Sequence, residues 1–98
     1  MIVFVSMPMN GHSQEQIDET LNRISDKIHK EYGNVIIVDG RSNGAAGVKY
    51  RDVWLLGKAL CNLSVADAAY FANGWQDARG CCVEHLTCEK YGIKILND

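Results

Sequence analysis

Proline occurs once in the chain, at Pro8, and no low-complexity stretch or block of one charge appears anywhere, so nothing calls for a disordered tail or linker. Basic charge is in deficit as well. Ten Lys and Arg against twelve Asp and Glu give a formal net charge of −2, and a nucleic-acid partner, which requires a basic field, is not expected. No apolar run approaches the about 20 residues of a membrane span, and Ile2–Val5 is far shorter than a signal-peptide core. The chain is therefore expected to be cytoplasmic, with no membrane partner. The four cysteines, Cys61, Cys81, Cys82 and Cys88, lack the count and spacing of a small secreted framework, and reduced thiols are expected. Gly44 and Gly47 complete neither a dinucleotide fingerprint nor a P-loop, which disfavours a nucleotide triphosphatase, and no cofactor is called for.

What is present is a globular composition, 47% apolar and 22% charged over 98 residues, which makes one domain spanning 1–98. Ile2-Val3-Phe4-Val5 reads as a buried strand bounded by the turn-prone Pro8, Asn10 and Gly11. Ser13 and Gln16 stand in capping-box spacing, and Ile17, Leu21, Ile24 and Ile28 follow at helical intervals, so a helix starts at about Gln14. Gly33 stops it, with Glu15 and Asp18 early and His29 and Lys30 late, as the helix dipole prefers. Val35–Val38 shows no polar alternation, which suits a strand covered on both faces. The three glycines, Ser42 and Asn43 between Asp39 and Gly47 read as a flexible loop. Val53, Leu56, Leu60 and Leu63 then define a helix from about Lys49 to Ser64. Ala68–Ala72, Gly80–Tyr91 and Ile93–Leu96 complete the series as strand, helix and strand.

An alternating βαβαβαβ order with apolar strands predicts an α/β fold. Its expected form is a three-layer, four-stranded parallel sheet in the order 2-1-3-4, Rossmann/flavodoxin-like. Such sheets bind ligands outside the carboxyl ends of the strands, at the switch point, here between the first and third strands. That rim receives Ser6, Met7, Pro8, Met9, Asn10 and Gly11 after the first strand, Asp39 after the second, and Asn73 to Gly80 after the third. Asp67, before the third strand, belongs to the opposite edge and reads as structural. Glu84 sits about one turn inside the third helix, whose start faces the rim. Arg79 lies at that start, where the dipole disfavours a cation unless an anionic ligand or a carboxylate accompanies it.

Alternatives attach to several of these residues. Trp75 is placed to stack on a nucleobase or to pack under its loop. Met7 and Met9 suit either a pocket lining or core filling. Cys81, His85 and Cys88 share a helix face, but one helix does not close a zinc tetrahedron, and no metal site is assigned. Tyr50, Trp54, Leu55 and Leu56 form a run too apolar for one buried stripe, from which a homodimer or higher homo-oligomer is expected.

The segment Gly74-Trp75-Gln76-Asp77-Ala78-Arg79-Gly80-Cys81-Cys82-Val83-Glu84-His85, together with Ser6-Met7-Pro8-Met9-Asn10-Gly11 and Tyr91-Gly92-Ile93-Lys94-Ile95, resembles small bacterial and phage proteins allied to the nucleoside 2-deoxyribosyltransferases. The resemblance covers nearly the whole chain. It implies a small-molecule nucleoside or nucleotide as partner and N-glycosidic bond cleavage or transfer as the reaction. In the catalytic relatives the glutamate matched by Glu84 is the nucleophile that takes the sugar as a covalent ester. Asp77 is the candidate for base contact or proton donation; its other reading is a loop or cap aspartate. Ser6, Pro8, Met9, Asn10, Gly11, Asp39, Trp75, Arg79 and Gly80 are the candidate substrate-binding residues. In one respect the chain departs from the relatives. They carry an aspartate in the second helix where this sequence has Ala59, and Asp52 lies too far upstream to take its role. A non-catalytic module that binds a nucleotide metabolite is therefore the competing expectation. Similar enzymes also assemble so that one subunit helps complete its neighbour's site.

Overall fold

The computed structural model describes residues 1–42 and 47–97; residues 43–46 of the glycine-containing loop, and so Asn43 and Gly44, lie outside the described residues. The elements are β1 (Ile2–Ser6), α1 (Gln14–Tyr32), β2 (Ile36–Asp39), α2 (Arg51–Ser64), β3 (Ala68–Phe71), α3 (Arg79–Tyr91) and β4 (Lys94–Ile95), with a 3-10 turn over Trp75–Asp77. All four strands are parallel, in the order β2-β1-β3-β4. This is a three-layer α/β fold of the Rossmann/flavodoxin-like kind.

The layers follow from the two-residue period of β1. Val3, Val5 and Met7 face α1 and cluster with its Ile17, Ile24 and Ile28. Phe4 faces the other way and joins Ala59 and Leu63 of α2, Ala69 and Phe71 of β3, and Cys88 of α3. Phe4 is fully buried, so its truncation to alanine would cost about 3–5 kcal/mol. Ser6 has the same parity as Phe4, which puts its side chain on the α2/α3 side.

Helix α1 begins with the capping box expected of its sequence: the Gln16 amide donates to Ser13 Oγ at 3.1 Å and the Ser13 amide to Gln16 Oε1 at 2.9 Å. It ends at Gly33, whose amide donates to the His29 carbonyl at 2.8 Å. Helix α2 differs from its expected bounds. It starts at Arg51, not Lys49, behind a Tyr50 that makes no side-chain cap. Of its expected stripe, Leu63 is buried and Leu56 and Leu60 are half-buried, but Val53 is 66% exposed, and Ala59 is buried beside them. The apolar run Tyr50, Trp54, Leu55 and Leu56 divides: Tyr50 faces outward, Trp54 is half-buried, and Leu55 and Leu56 line a cleft described below.

β2 begins one residue later than its apolar run and includes Asp39. It is an edge strand, so Ile36 is exposed and the remainder only half-buried; the expectation of coverage on both faces fails for this reason. β4 contracts to Lys94–Ile95 because Asn97 takes over the ladder. Its side chain accepts from the Phe71 amide at 3.0 Å and donates to the Phe71 carbonyl at 2.7 Å. At the amino edge, Asp67 accepts from the Ile2 amide at 2.7 Å and so ties β1 to the entry of β3. Among the described residues no helix is long and apolar enough to cross a membrane.

Candidate functional site

β1 sends the chain to α1 on one face of the sheet and β3 sends it to α3 on the other, which opens a cleft at the carboxyl edge between them. Its volume, about 890 Å³, falls within the range of about 300–1,000 Å³ occupied by small-molecule sites.

Glu84 lies at the bottom. Between one and two turns into α3, its side chain turns inward and is only 7% exposed. Ser6, at the end of β1 and 1% exposed, donates from Oγ to Glu84 Oε1 at 2.6 Å. The seryl backbone is fixed in turn, because its carbonyl accepts from the Ala72 amide at 2.9 Å. Burial pushes the Glu84 carboxyl above its ordinary range by disfavouring the anion, and the Ser6 hydroxyl, which solvates that anion, pulls it back. Cys81, one turn earlier in α3, lines the same floor, with its thiol pushed up to about 11, mainly by burial. Gly40 approaches closely here. A Cβ at that position would stand 3.0 Å from the Ala59 methyl, a tight contact, and 3.7 Å from Glu84 Oε2, an ordinary one, so it is against α2 that the backbone after β2 profits from having no side chain at residue 40.

The walls come from four loops and helix starts. Pro8, Met9 and Asn10 follow β1, Gly40, Arg41 and Ser42 follow β2, Asp52, Leu55 and Leu56 open α2, and Asp77 precedes α3, which Arg79 and Gly80 open. Gly74, at φ +86°, makes the turn that brings this last segment against Pro8. Of the residues expected at the site, Glu84, Asp77, Ser6, Pro8, Met9, Asn10, Arg79 and Gly80 are thus brought together. Asp77 is exposed, and its carboxylate has no hydrogen-bond partner among the described residues.

Gly11, Asp39 and Trp75 do not line the cleft. Gly11 makes the positive-φ turn before α1. Asp39 is a holder: its carboxylate accepts from the Arg41 amide at 2.9 Å and from the Arg41 guanidinium at 3.1 Å. Trp75 packs under its loop. Its ring stacks on His85 with centroids 4.0 Å apart and planes nearly parallel, and leans against Phe71 at 5.5 Å. His85 Nδ1 meets Glu89 Oε1 at 2.9 Å, while Cys81 faces the cleft, so the shared helix face is divided between two environments. Among the described residues no three His, Cys, Asp or Glu side chains are grouped to hold a metal ion.

Two further lining residues are Arg41, which the sequence did not single out, and Asp52, which it named only as too far upstream to replace the relatives' aspartate. Arg41 is clamped between Asp39 and Asp18, the latter at 2.6 Å, and both carboxylates raise its already high pKa. Asp52 meets Arg79 at 3.3 Å, with both side chains about four-fifths exposed, a pair that contributes little by itself. A signal for Asp52 was present: in a βαβ chain each helix begins at the rim where its preceding strand ends, so the first turn of α2 belongs to the same rim as that of α3.

Fold and cleft together define the class: an α/β protein with a cleft at the switch point of a parallel sheet. No protein-family model, curated protein or solved structure matches the chain.

Proposed function

We propose that the protein cleaves or transfers the N-glycosidic bond of a nucleoside or nucleotide, with Glu84 as nucleophile. The observation that carries this reading is the carboxyl group itself, held at the bottom of a small-molecule cleft with its Oε1 fixed by Ser6 at 2.6 Å. A structural glutamate gains nothing from such burial, whereas a nucleophile must be desolvated, fixed and open on one oxygen. The resemblance of the Gly74–His85 segment and the Pro8 turn to the deoxyribosyltransferase-like proteins supplies the substrate class.

In this reaction Glu84 attacks the anomeric carbon, the carbon–nitrogen bond breaks as the carbon–oxygen ester forms, and the leaving base takes up a proton. Asp77, unpartnered on the wall, is the candidate to contact or protonate the base. Water or a second base then attacks the same carbon, the ester breaks, and Glu84 returns as carboxylate. The Ser6 hydrogen bond favours that charged form both before the attack and as the ester departs.

A second reading is a module that binds a nucleotide metabolite without turning it over. Ala59 favours it, because its methyl group packs against Gly40 in the layer beside Glu84, where the catalytic relatives carry a second carboxylate. Chromatography of free base after incubation with a panel of nucleosides and their 5′-monophosphates separates the two. Catalysis predicts base release that Glu84→Gln abolishes; binding without any release supports the module.

A further inference from the structure

A second hollow, of about 360 Å³, lies beside the cleft across the Met7–Pro8 turn, between α1 and β3. Its construction differs from that of the cleft. Helix α1 presents two neighbouring stripes to the protein. Ile17, Ile24 and Ile28 enter the core, and next to them Gln16, Thr20, Arg23 and Lys27 form the groove wall at intervals of four, three and four. That wall carries two cations. The acids of α1, Glu15, Asp18, Glu19, Asp26 and Glu31, all lie off it.

The two cations are held differently. Lys27 Nζ reaches across the groove to Tyr70 Oη at 3.3 Å and stands 5.8 Å from the centre of that ring, which closes one end and leaves the ammonium with hydrogens to donate. The Arg23 guanidinium has no ion-pair or hydrogen-bond partner among the described residues, whereas Arg41 and Arg79 each have a carboxylate. Behind the cations the floor is apolar, with Met7, Ile24 and Ala72 beside the face of Tyr70. A charge-assisted fork over an apolar floor, with no acid on the lining, matches an anion attached to a flat apolar body.

We propose that this groove binds a small organic anion, a phosphate ester or a carboxylate on an aromatic body, at a site separate from the Glu84 cleft. The inference does not depend on the reaction assigned to Glu84. Phenyl phosphate and benzoate, titrated separately into the isotope-labelled full chain and followed by backbone amide shifts, test it and distinguish the two anion types. The expected result is movement of amides along residues 16–27 and 70–73 with one or both probes. Arg23→Gln and Lys27→Gln should each weaken the better probe about tenfold, the loss of one hydrogen bond to a charged group. Lys30→Gln, on the same helix but outside the groove, should leave affinity unchanged. All three side chains are exposed, and unaltered melting temperatures confirm that the variants fold. The proposal is overturned if neither probe moves the groove amides, if the shifts centre on the Glu84 cleft, or if Lys30→Gln weakens binding as much as Arg23→Gln.

Discussion

Replacing Ser6 by alanine removes the hydroxyl that donates to Glu84 and also meets the Cys81 thiol, so the bond to Glu84 is isolated by a double-mutant cycle and not by the single substitution. That bond is short, 2.6 Å, and both partners are buried. A hydrogen bond to a charged group is worth about 1.5–3 kcal/mol and one between neutral groups about 0.5–1.5 kcal/mol. Where Glu84 is ionised, Ser6→Ala should therefore cost about 2 kcal/mol. In a Glu84→Gln background it should cost about 1 kcal/mol, since the amide oxygen still accepts but carries no charge. For a chain of this size each kcal/mol moves the melting midpoint by about 4–8 °C. Thermal melts of the wild type, the two single variants and the double variant close the cycle, with an expected coupling of about 1 kcal/mol. Equal costs of Ser6→Ala in the two backgrounds would refute the claim that Ser6 stabilises a buried anion. Ser6→Ala should also displace the acid limb of base release to higher pH, because the bond that holds Glu84 down is gone.

Three further outcomes follow from the same geometry. Burial raises the folded-state pKa of Glu84 above its unfolded value of about 4.3, so the folded protein keeps a proton that the unfolded chain releases, and stability falls as pH rises through that window. The melting temperature of Glu84→Gln relative to wild type should accordingly climb with pH from about pH 4 upward; a flat difference contradicts it. In thiol labelling followed by mass spectrometry, the exposed Cys61 should react first, while Cys81 and Cys88, buried and with thiols pushed up to about 11, should react only on unfolding. With Tyr50 exposed just before α2 and Val53 exposed on it, a homo-oligomer paired through that helix is expected in light scattering, and Val53→Glu should dissociate it; a mass near the 10.9 kDa of one chain refutes the expectation.

The sheet was legible because its signals are local and agree with one another: short apolar runs, a capping box at Ser13 and Gln16, and a glycine stop at Gly33. What the sequence concealed depends on neighbours. Ile36 and Val38 look alike as residues, and only strand order makes β2 an edge that leaves Ile36 exposed. Val53 fits the helical stripe by spacing, yet α2 rolls so that Ala59 and Leu63 meet Phe4. At the site, Glu84 and Ser6 were each assigned to the rim, but their bond across 78 positions depends on the parity of β1 and the phase of α3 together. Asp39 and Trp75 show the converse. Both stand beside the rim, and each is taken up by a nearby side chain, Arg41 in one case and His85 in the other, before it can face the cleft.

The most direct test of the central claim is the covalent state of Glu84 during turnover. Protein quenched in acid while acting on a nucleoside that it cleaves, then digested and weighed by mass spectrometry, should carry the sugar as an ester on the peptide containing Glu84, and Glu84→Gln should show neither ester nor base release. Base release that continues undiminished in Glu84→Gln, with no sugar on that peptide in the wild type, would contradict the account.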